Sequence, residues 1–249
     1  MRSNTDTQKF TSLTIVRAGL FISMSLVLKV IFEIYIPLAG IRALRINFAS
    51  IPLILSGIVL GPAAGLITGA AADIINFMVK PDGPYFPGFT IVSALSGFIP
   101  GIIYKYIKKD LNFNLLNTIF ISLLSVGFVS VFIYNGLLTF DNGIIYDGKP
   151  LSLLYIVGFF ILVVAYLLIP IKLTSSSTNL SMNKIVFTIS VTQLITSIIL
   201  NTYFLSILYG KGFMIFLPAR ILTSFFMIPL YSITIAAILN ALKGSFNIK

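Results

Sequence analysis

The chain has 249 residues, 57% of them hydrophobic, a mean hydropathy of +1.03, and 17 basic against 7 acidic residues. A soluble domain of this length needs far more polar surface, so the sequence reads as an integral membrane protein with no room for a soluble catalytic domain. Cysteine and histidine are absent, which excludes disulfides, thiol chemistry, imidazole bases and most zinc or iron sites; the scattered acids argue against a carboxylate-only metal site, and no cofactor is expected.

Residues 1–12 read as a short polar tail, and the opening MRSNTDTQKF has no small-residue cleavage pattern, so the first apolar run is expected to stay as a membrane helix. A crossing takes ~20 apolar residues. Eight runs qualify, at about 13–36, 46–61, 62–79, 89–107, 114–137, 151–171, 184–205 and 218–241, within one transmembrane domain over 13–249. The second and third are short and joined by Gly61-Pro62, a tight turn that sets Pro62 at the first position of the new helix. The expected fold class is an all-α membrane bundle.

Small residues recur at a spacing of four: Gly57, Gly61, Gly65 and Gly69, then Ser93, Gly97 and Gly101. Such stripes let helix backbones approach closely where lipid supplies no hydrophobic drive, and internal packing is the expected use here. The first span carries a shorter version, Ala18, Gly19 and Ser23, which suits either internal packing or a groove for a partner helix.

An even number of spans puts both termini on one side, with Arg2, Lys9, Arg17, Lys105, Lys108, Lys109, Lys172, Lys184, Lys243 and Lys249, against six basic residues on the other. The positive-inside rule then makes the termini cytoplasmic. Most of the net charge of +10 is thereby topology, and nucleic acid is not an expected partner. The opposite side holds Arg42, Arg45, Lys80, Lys149, Lys211 and Arg220. Snorkelling to headgroups suits any one lysine among them, but Arg220 sits just inside a span after Leu217-Pro218-Ala219.

Within the spans the costly groups are Lys29, Glu33, Asp73, Gln193, Asn201 and Arg220. Lys29 and Glu33 are four apart on one helix face and can either neutralise each other or serve a ligand. Asp73 has no basic residue one turn away. An ionisable side chain in a span marks a partner or a wet cavity, the other reading being a tertiary bond that locks the bundle.

The run RINFASIPLILSGIVLGPAAGLITGAAADIINFMVKPDGPYFPGFT and, later, LNTYFLSILYGKGFMIFLPARILTSFFMIPLYS are similar to the folate-type substrate-binding (S) components of energy-coupling factor (ECF) vitamin transporters. The shared features are the Gly-Pro turn, the small-residue helix ending in Asp73, the FPGF loop, Asn-Thr ahead of a Tyr-Gly loop, and a last helix opening with an arginine and containing Pro229. The resemblance covers about 13–107 and 184–241. Residues 110–180 lie outside it and read as an inserted transmembrane hairpin on a six-span bundle, which leaves the orientation of the matching helices unchanged.

The resemblance implies a vitamin binder of the cell membrane with no catalytic chemistry of its own, working with a transmembrane coupling subunit and two cytoplasmic ATPases. The sequence itself has no G-x-x-x-x-G-K-[ST] phosphate cradle. For a folate, Asp73 can accept the paired N–H donors of the pterin edge. Tyr85, Phe86, Phe89 and Tyr203 offer walls for flat rings. Arg42, Arg45 and Arg220 can meet the dianionic glutamate tail, Asn201 can donate and accept, and Pro84, Pro87 and Gly88 stiffen the loop. Riboflavin or pantothenate would use some of these groups. A stand-alone ion-coupled carrier would use Lys29, Glu33 and Asp73 as a relay and Pro229 as a helix break. The resemblance also implies that Ala18, Gly19 and Ser23 form the face docked by the coupling subunit.

Overall fold

The computed structural model describes residues 11–38, 41–81, 83–107, 111–134, 138–139, 145–146, 149–150, 157–158, 160–161 and 182–242. Among them six helices are long and apolar enough to cross a bilayer, and a seventh, Ser50–Leu60, is apolar but shorter. The chain is a polytopic helical membrane protein. It divides into two compact units, Met1–Glu33 with Asn47–Ile107, and Ile34–Ile46 with Lys108–Lys249.

The first unit holds α1 (Ser12–Phe32), α2 (Ser50–Leu60), α3 (Pro62–Val79) and α4 (Pro87–Tyr106). Thr11 caps α1 by accepting the Thr14 N–H. The helix buries only a narrow stripe, Phe21, Ser25 and Lys29, at a spacing of four. Its other faces leave Ile15, Val16, Leu20, Val27 and Ile31 exposed, which is stable in lipid and would not be in water.

Helices α2 and α3 meet at Gly61, whose φ of 92° suits glycine, and Pro62 opens α3 as the sequence requires. The glycine stripes lie between α2, α3 and α4. A Cβ on Gly57 would sit 1.9 Å from the Gly97 carbonyl oxygen, and one on Gly69 would sit 2.1 Å from that of Ser93. These helices therefore touch backbone to backbone, and the stripes are internal packing seams. Pro87 and Gly88, expected in a stiff loop, form the first turn of α4 instead, since proline's fixed φ and missing N–H suit a helix start.

The second unit opens with an antiparallel pair, where the sequence predicts that the first span continues to residue 36 and gives way to a flexible loop. Strand β1 (Ile34–Leu38) pairs with β2 (Ile41–Ile46), with Tyr35 opposite Arg45 and Ile36 opposite Leu44. The cause is local. Ile34, Ile36 and Pro37 follow an extended Glu33 (φ −84°, ψ 120°); β-branched residues favour a pleated surface, and proline bars the helix from continuing. The register slips between Ile36 and Leu38, at the proline that cannot donate to the ladder. Arg42 and Arg45 therefore belong to a strand, and β2 lies against the last helix of the unit.

Three more helical stretches complete this unit: α5 (Phe113–Tyr134), a composite helix made of α6 (Met182–Gln193), a π-helical stretch Leu194–Asn201 and α7 (Thr202–Tyr209), and α8 (Phe213–Leu242). They pack through Phe113 on Phe187 and Phe128 on Phe225, with ring centroids 5.7 and 6.3 Å apart, and Asn117 Nδ2 donates to the Asn183 carbonyl at 3.1 Å. Phe225, Ile228, Ile235 and Leu239 of α8 are fully enclosed. Between α5 and α6 lies a small antiparallel sheet, Leu138–Thr139, Ile145–Tyr146 and Lys149–Pro150. α5 lies where the sequence reading put the first arm of an inserted hairpin, and the described residues hold six membrane-capable helices, not the eight expected spans. The second arm, at 151–171, lies outside the described residues except for 157–158 and 160–161.

Candidate functional site

In the first unit the polar side chains gather at the C-terminal end of α3 and the start of α4. Asp73 is half-buried and accepts from two hydroxyls of α4: Thr90 Oγ1 donates to Oδ2 at 2.8 Å and Ser93 Oγ to Oδ1 at 3.1 Å. Tyr85 OH lies 2.9 Å from Thr90 Oγ1. The threonine gives its one proton to the carboxylate, so the phenol is the donor to the threonine. The result is a directed chain, Tyr85 to Thr90 to Asp73.

A carboxylate offers about four lone-pair positions. Thr90 and Ser93 occupy two, one on each oxygen, and two remain for an incoming pair of donors. No salt bridge holds Asp73 among the described residues. Aromatic groups line the same region: Tyr85 packs edge-on against Phe77 at 5.1 Å between centroids, and Phe86 against Phe89 at 5.6 Å. Tyr85 is 47% exposed, a rim position. Gly83 in the intervening turn has φ 150°, a conformation that suits glycine.

Beside this cluster the ends of α1 and α3 are cross-linked. Lys29 Nζ donates to the carbonyls of Asn76 and Lys80, at 3.4 and 3.1 Å. Lys80 Nζ donates to the Lys29 carbonyl at 3.3 Å and lies 3.7 Å from the Glu33 carboxylate. One turn back along both helices, Asn76 Nδ2 donates to Ser25 Oγ, which donates to the Ala49 carbonyl. Lys29, read from the sequence as a partner for Glu33 along one helix, is thus also bonded between helices.

In the second unit, Arg220 is buried, and its helix begins at Phe213, earlier than the start near 218 that the sequence suggests. Pro218 is carried inside α8, which membrane helices tolerate when neighbouring groups take up the freed carbonyl. Arg220 lies seven residues in, roughly two turns and ~10 Å from the helix start. Asn201 is half-buried at the end of the π-helical stretch, and Tyr203 follows in α7, 52% exposed. Arg42 and Arg45 lie on β2.

The structure therefore brings Asp73, Tyr85, Phe86, Pro87, Gly88 and Phe89 together in one unit, and Asn201, Tyr203, Arg220, Arg42 and Arg45 fall in the other. Sequence reasoning missed Thr90 and the Ser93 hydroxyl, although Asp73 and Ser93 are twenty residues apart across a single turn and each faces the other helix. On α1, Gly19 and Ser23 are exposed and Ala18 half-exposed, and a Cβ on Gly19 would meet nothing within 4 Å. Among the described residues no three His, Cys, Asp or Glu side chains converge.

Such an arrangement defines a multi-pass membrane protein with a small polar and aromatic cluster at its helix ends. The chain belongs to the family described as the ECF-type riboflavin transporter, S component, which matches residues 9–180 and so takes in residues 110–180 as well. It is 32% identical over 94 residues to the folate transporter FolT of Clostridium novyi (strain NT), a match over 38% of this chain and 54% of that relative, so the chain spans about half the length of the relative. Its fold is that of a solved structure described as the crystal structure of FolT bound with folic acid, with a TM-score of 0.53 at 20% identity over 90% of this chain and 91% of that one.

Proposed function

We propose that this S component binds folate and delivers it to an importer with a transmembrane coupling subunit and two ATPases. The observation that carries the reading is Asp73, with each oxygen held by one hydroxyl and one acceptor position left on each. A pterin edge presents two adjacent N–H donors that fit such a carboxylate as a charge-assisted pair. The family description names riboflavin, and the relative and the solved structure name folate. Chemistry favours the second. The polar edge of the riboflavin ring sets one N–H between two carbonyls, so a carboxylate there would meet one donor and oppose acceptors.

Tyr85, Phe86 and Phe89 supply ring walls beside Asp73, with Tyr203 and Asn201 as further ring and amide contacts. Arg220, Arg42 and Arg45 are the cations suited to the glutamate tail. Both termini face the cytoplasm on the distribution of Lys and Arg. The sequence has no G-x-x-x-x-G-K-[ST] phosphate cradle, which suits a role in which partner ATPases hydrolyse the ATP. The open face at Ala18, Gly19 and Ser23 is the proposed coupling surface.

The test is to purify the protein in detergent, identify co-purifying small molecules by mass spectrometry, and titrate folate and riboflavin by calorimetry. Folate should bind and riboflavin should not. Riboflavin binding alone would overturn the ligand assignment while leaving the chain an S component.

A further inference from the structure

We propose that Lys29 and Lys80 are positioning residues of the ligand site: each caps the other's helix, and together they hold the last turn of α3 and the turn that follows it in binding geometry. The ligand in this inference rests on the folate reading; the geometry does not.

The last carbonyls of a helix have no partner within it, and in a membrane there is little water to serve them. α1 and α3 solve this mutually. Lys29, 7% exposed, sends its ammonium to the Lys80 carbonyl just past the end of α3 and, as a second donor, to the Asn76 carbonyl, which also accepts the Lys80 backbone N–H. Lys80 returns its ammonium to the Lys29 carbonyl at the end of α1 and faces Glu33. Ser25–Asn76 and Lys29–Lys80 are each 51 residues apart, so α1 and α3 run parallel and are joined by two polar rungs one turn apart. The charges also balance. Each helix end carries about −0.5 charge, so two ends and one carboxylate offset two ammonium groups.

Neither lysine makes a described contact with Asp73. Both act through the last turn of α3, which carries Phe77, the ring on which Tyr85 rests. Tyr85 in turn donates to Thr90, and Thr90 to Asp73. Loss of either cap frees that turn, and with it the ring that seats Tyr85. Because the caps are reciprocal, removing one lysine undoes much of what the other holds.

The chain has no cysteine and no tryptophan, so site-specific probes can be placed without background. Ile31→Cys and Val79→Cys, at exposed positions near the two helix ends, take nitroxide labels for distance measurement by pulsed electron resonance. The parent should give one narrow distance. Lys29→Met and Lys80→Met should each broaden it, the double variant should be no broader than either, and each should weaken folate about tenfold, or ~1.4 kcal/mol. Lys29→Arg, which keeps a cation with several donors, should restore both readings. Separately, Pro84→Trp reports on the turn without any ligand, and its quenching by acrylamide should rise when Lys29→Met is added. If Lys29→Met does not fold, Lys80→Met tests the same contact from a side chain that is 36% exposed. A narrow distance with folate lost, a broad distance with folate unchanged, or unchanged quenching in the Pro84→Trp background overturns the proposal. If the parent itself fails to bind folate, the quenching and distance results still decide the positioning role, and only the ligand reading falls.

Discussion

At Asp73 two hydroxyls fix the direction in which the carboxylate can accept. Asp73→Asn keeps the shape but puts an amide donor where a ligand donor should arrive. Folate binding should weaken by ~2–4 kcal/mol, which corresponds to ~30- to 1000-fold in affinity. Thr90→Val keeps the volume and removes one orienting hydroxyl, with an expected loss of ~0.5–1.5 kcal/mol. If Thr90 acts through Asp73, the double variant should lose little more than Asp73→Asn alone, because residues that share one bond do not act additively. Calorimetry on all three checks this, and simple addition of the two losses would separate Thr90 from the carboxylate. Arg220 tests the other end of the proposed ligand. Arg220→Ala should weaken folate by ~1.5–3 kcal/mol, as for a charge-assisted bond, yet leave pteroate, which lacks the glutamate, near the parent's affinity. Alanine at Arg42 or Arg45 should have a smaller effect on folate, ~0–1 kcal/mol each if those pairs are solvated. Equal losses for both ligands would assign Arg220 to the ring or to the fold.

At the scale of helices and strands, spacing explains what was legible. A glycine every fourth residue is a local pattern, and it led directly to the α2–α3–α4 seams. Gly97→Ala should therefore be severe: its Cβ would lie 2.1 Å from the Gly65 carbonyl oxygen, and backbone cannot step aside as a side chain can. Overpacking of this kind costs ~1–3 kcal/mol or more. Gly127→Ala in α5 meets nothing within 4 Å and should stabilise by up to ~1 kcal/mol through helix propensity. Thermal unfolding followed by size-exclusion chromatography should lower the midpoint for the first and hold or raise it for the second. The β1–β2 pair was less legible, although its signals, Pro37 and alternating isoleucines, are also local; the apolar run of α1 continues into them without a polar break, and hydropathy cannot tell a membrane helix from a strand that follows it. The lysine caps and the Ser93 hydroxyl lay beyond reach for a different reason. Lys29 and Lys80 stand 51 residues apart, and only the packing of α1 on α3 makes them neighbours. Ser93 was read for its size alone, when its hydroxyl also serves the carboxylate.

At the scale of the whole molecule, polar groups are placed sparingly and apolar surface is turned outward. Side chains such as Val16, Leu20, Met78 and Val126 are 61%, 61%, 77% and 66% exposed, an arrangement suited to lipid contact, where association between helices depends on close packing and polar bonds. On such a surface a small residue with nothing opposite it stands out. Gly57, Gly65, Gly69, Gly97 and Gly101 would all meet backbone within 3 Å of an added Cβ, whereas Gly19 would meet nothing within 4 Å. The same residue type therefore closes the inside of the first unit and leaves a shallow open face on α1. If the coupling subunit docks there, Gly19→Leu should fill the face without disturbing the fold. The variant should run as a single species, keep folate affinity within about twofold of the parent, which is ~0.4 kcal/mol, and fail to co-purify with the coupling subunit and its ATPases. Gly127→Leu on α5, which also meets nothing, serves as a control for bulk added to a lipid-facing glycine and should still assemble. If Gly19→Leu assembles normally, the docking face lies elsewhere on the molecule; if it loses folate binding and folding together, Gly19 serves internal packing after all.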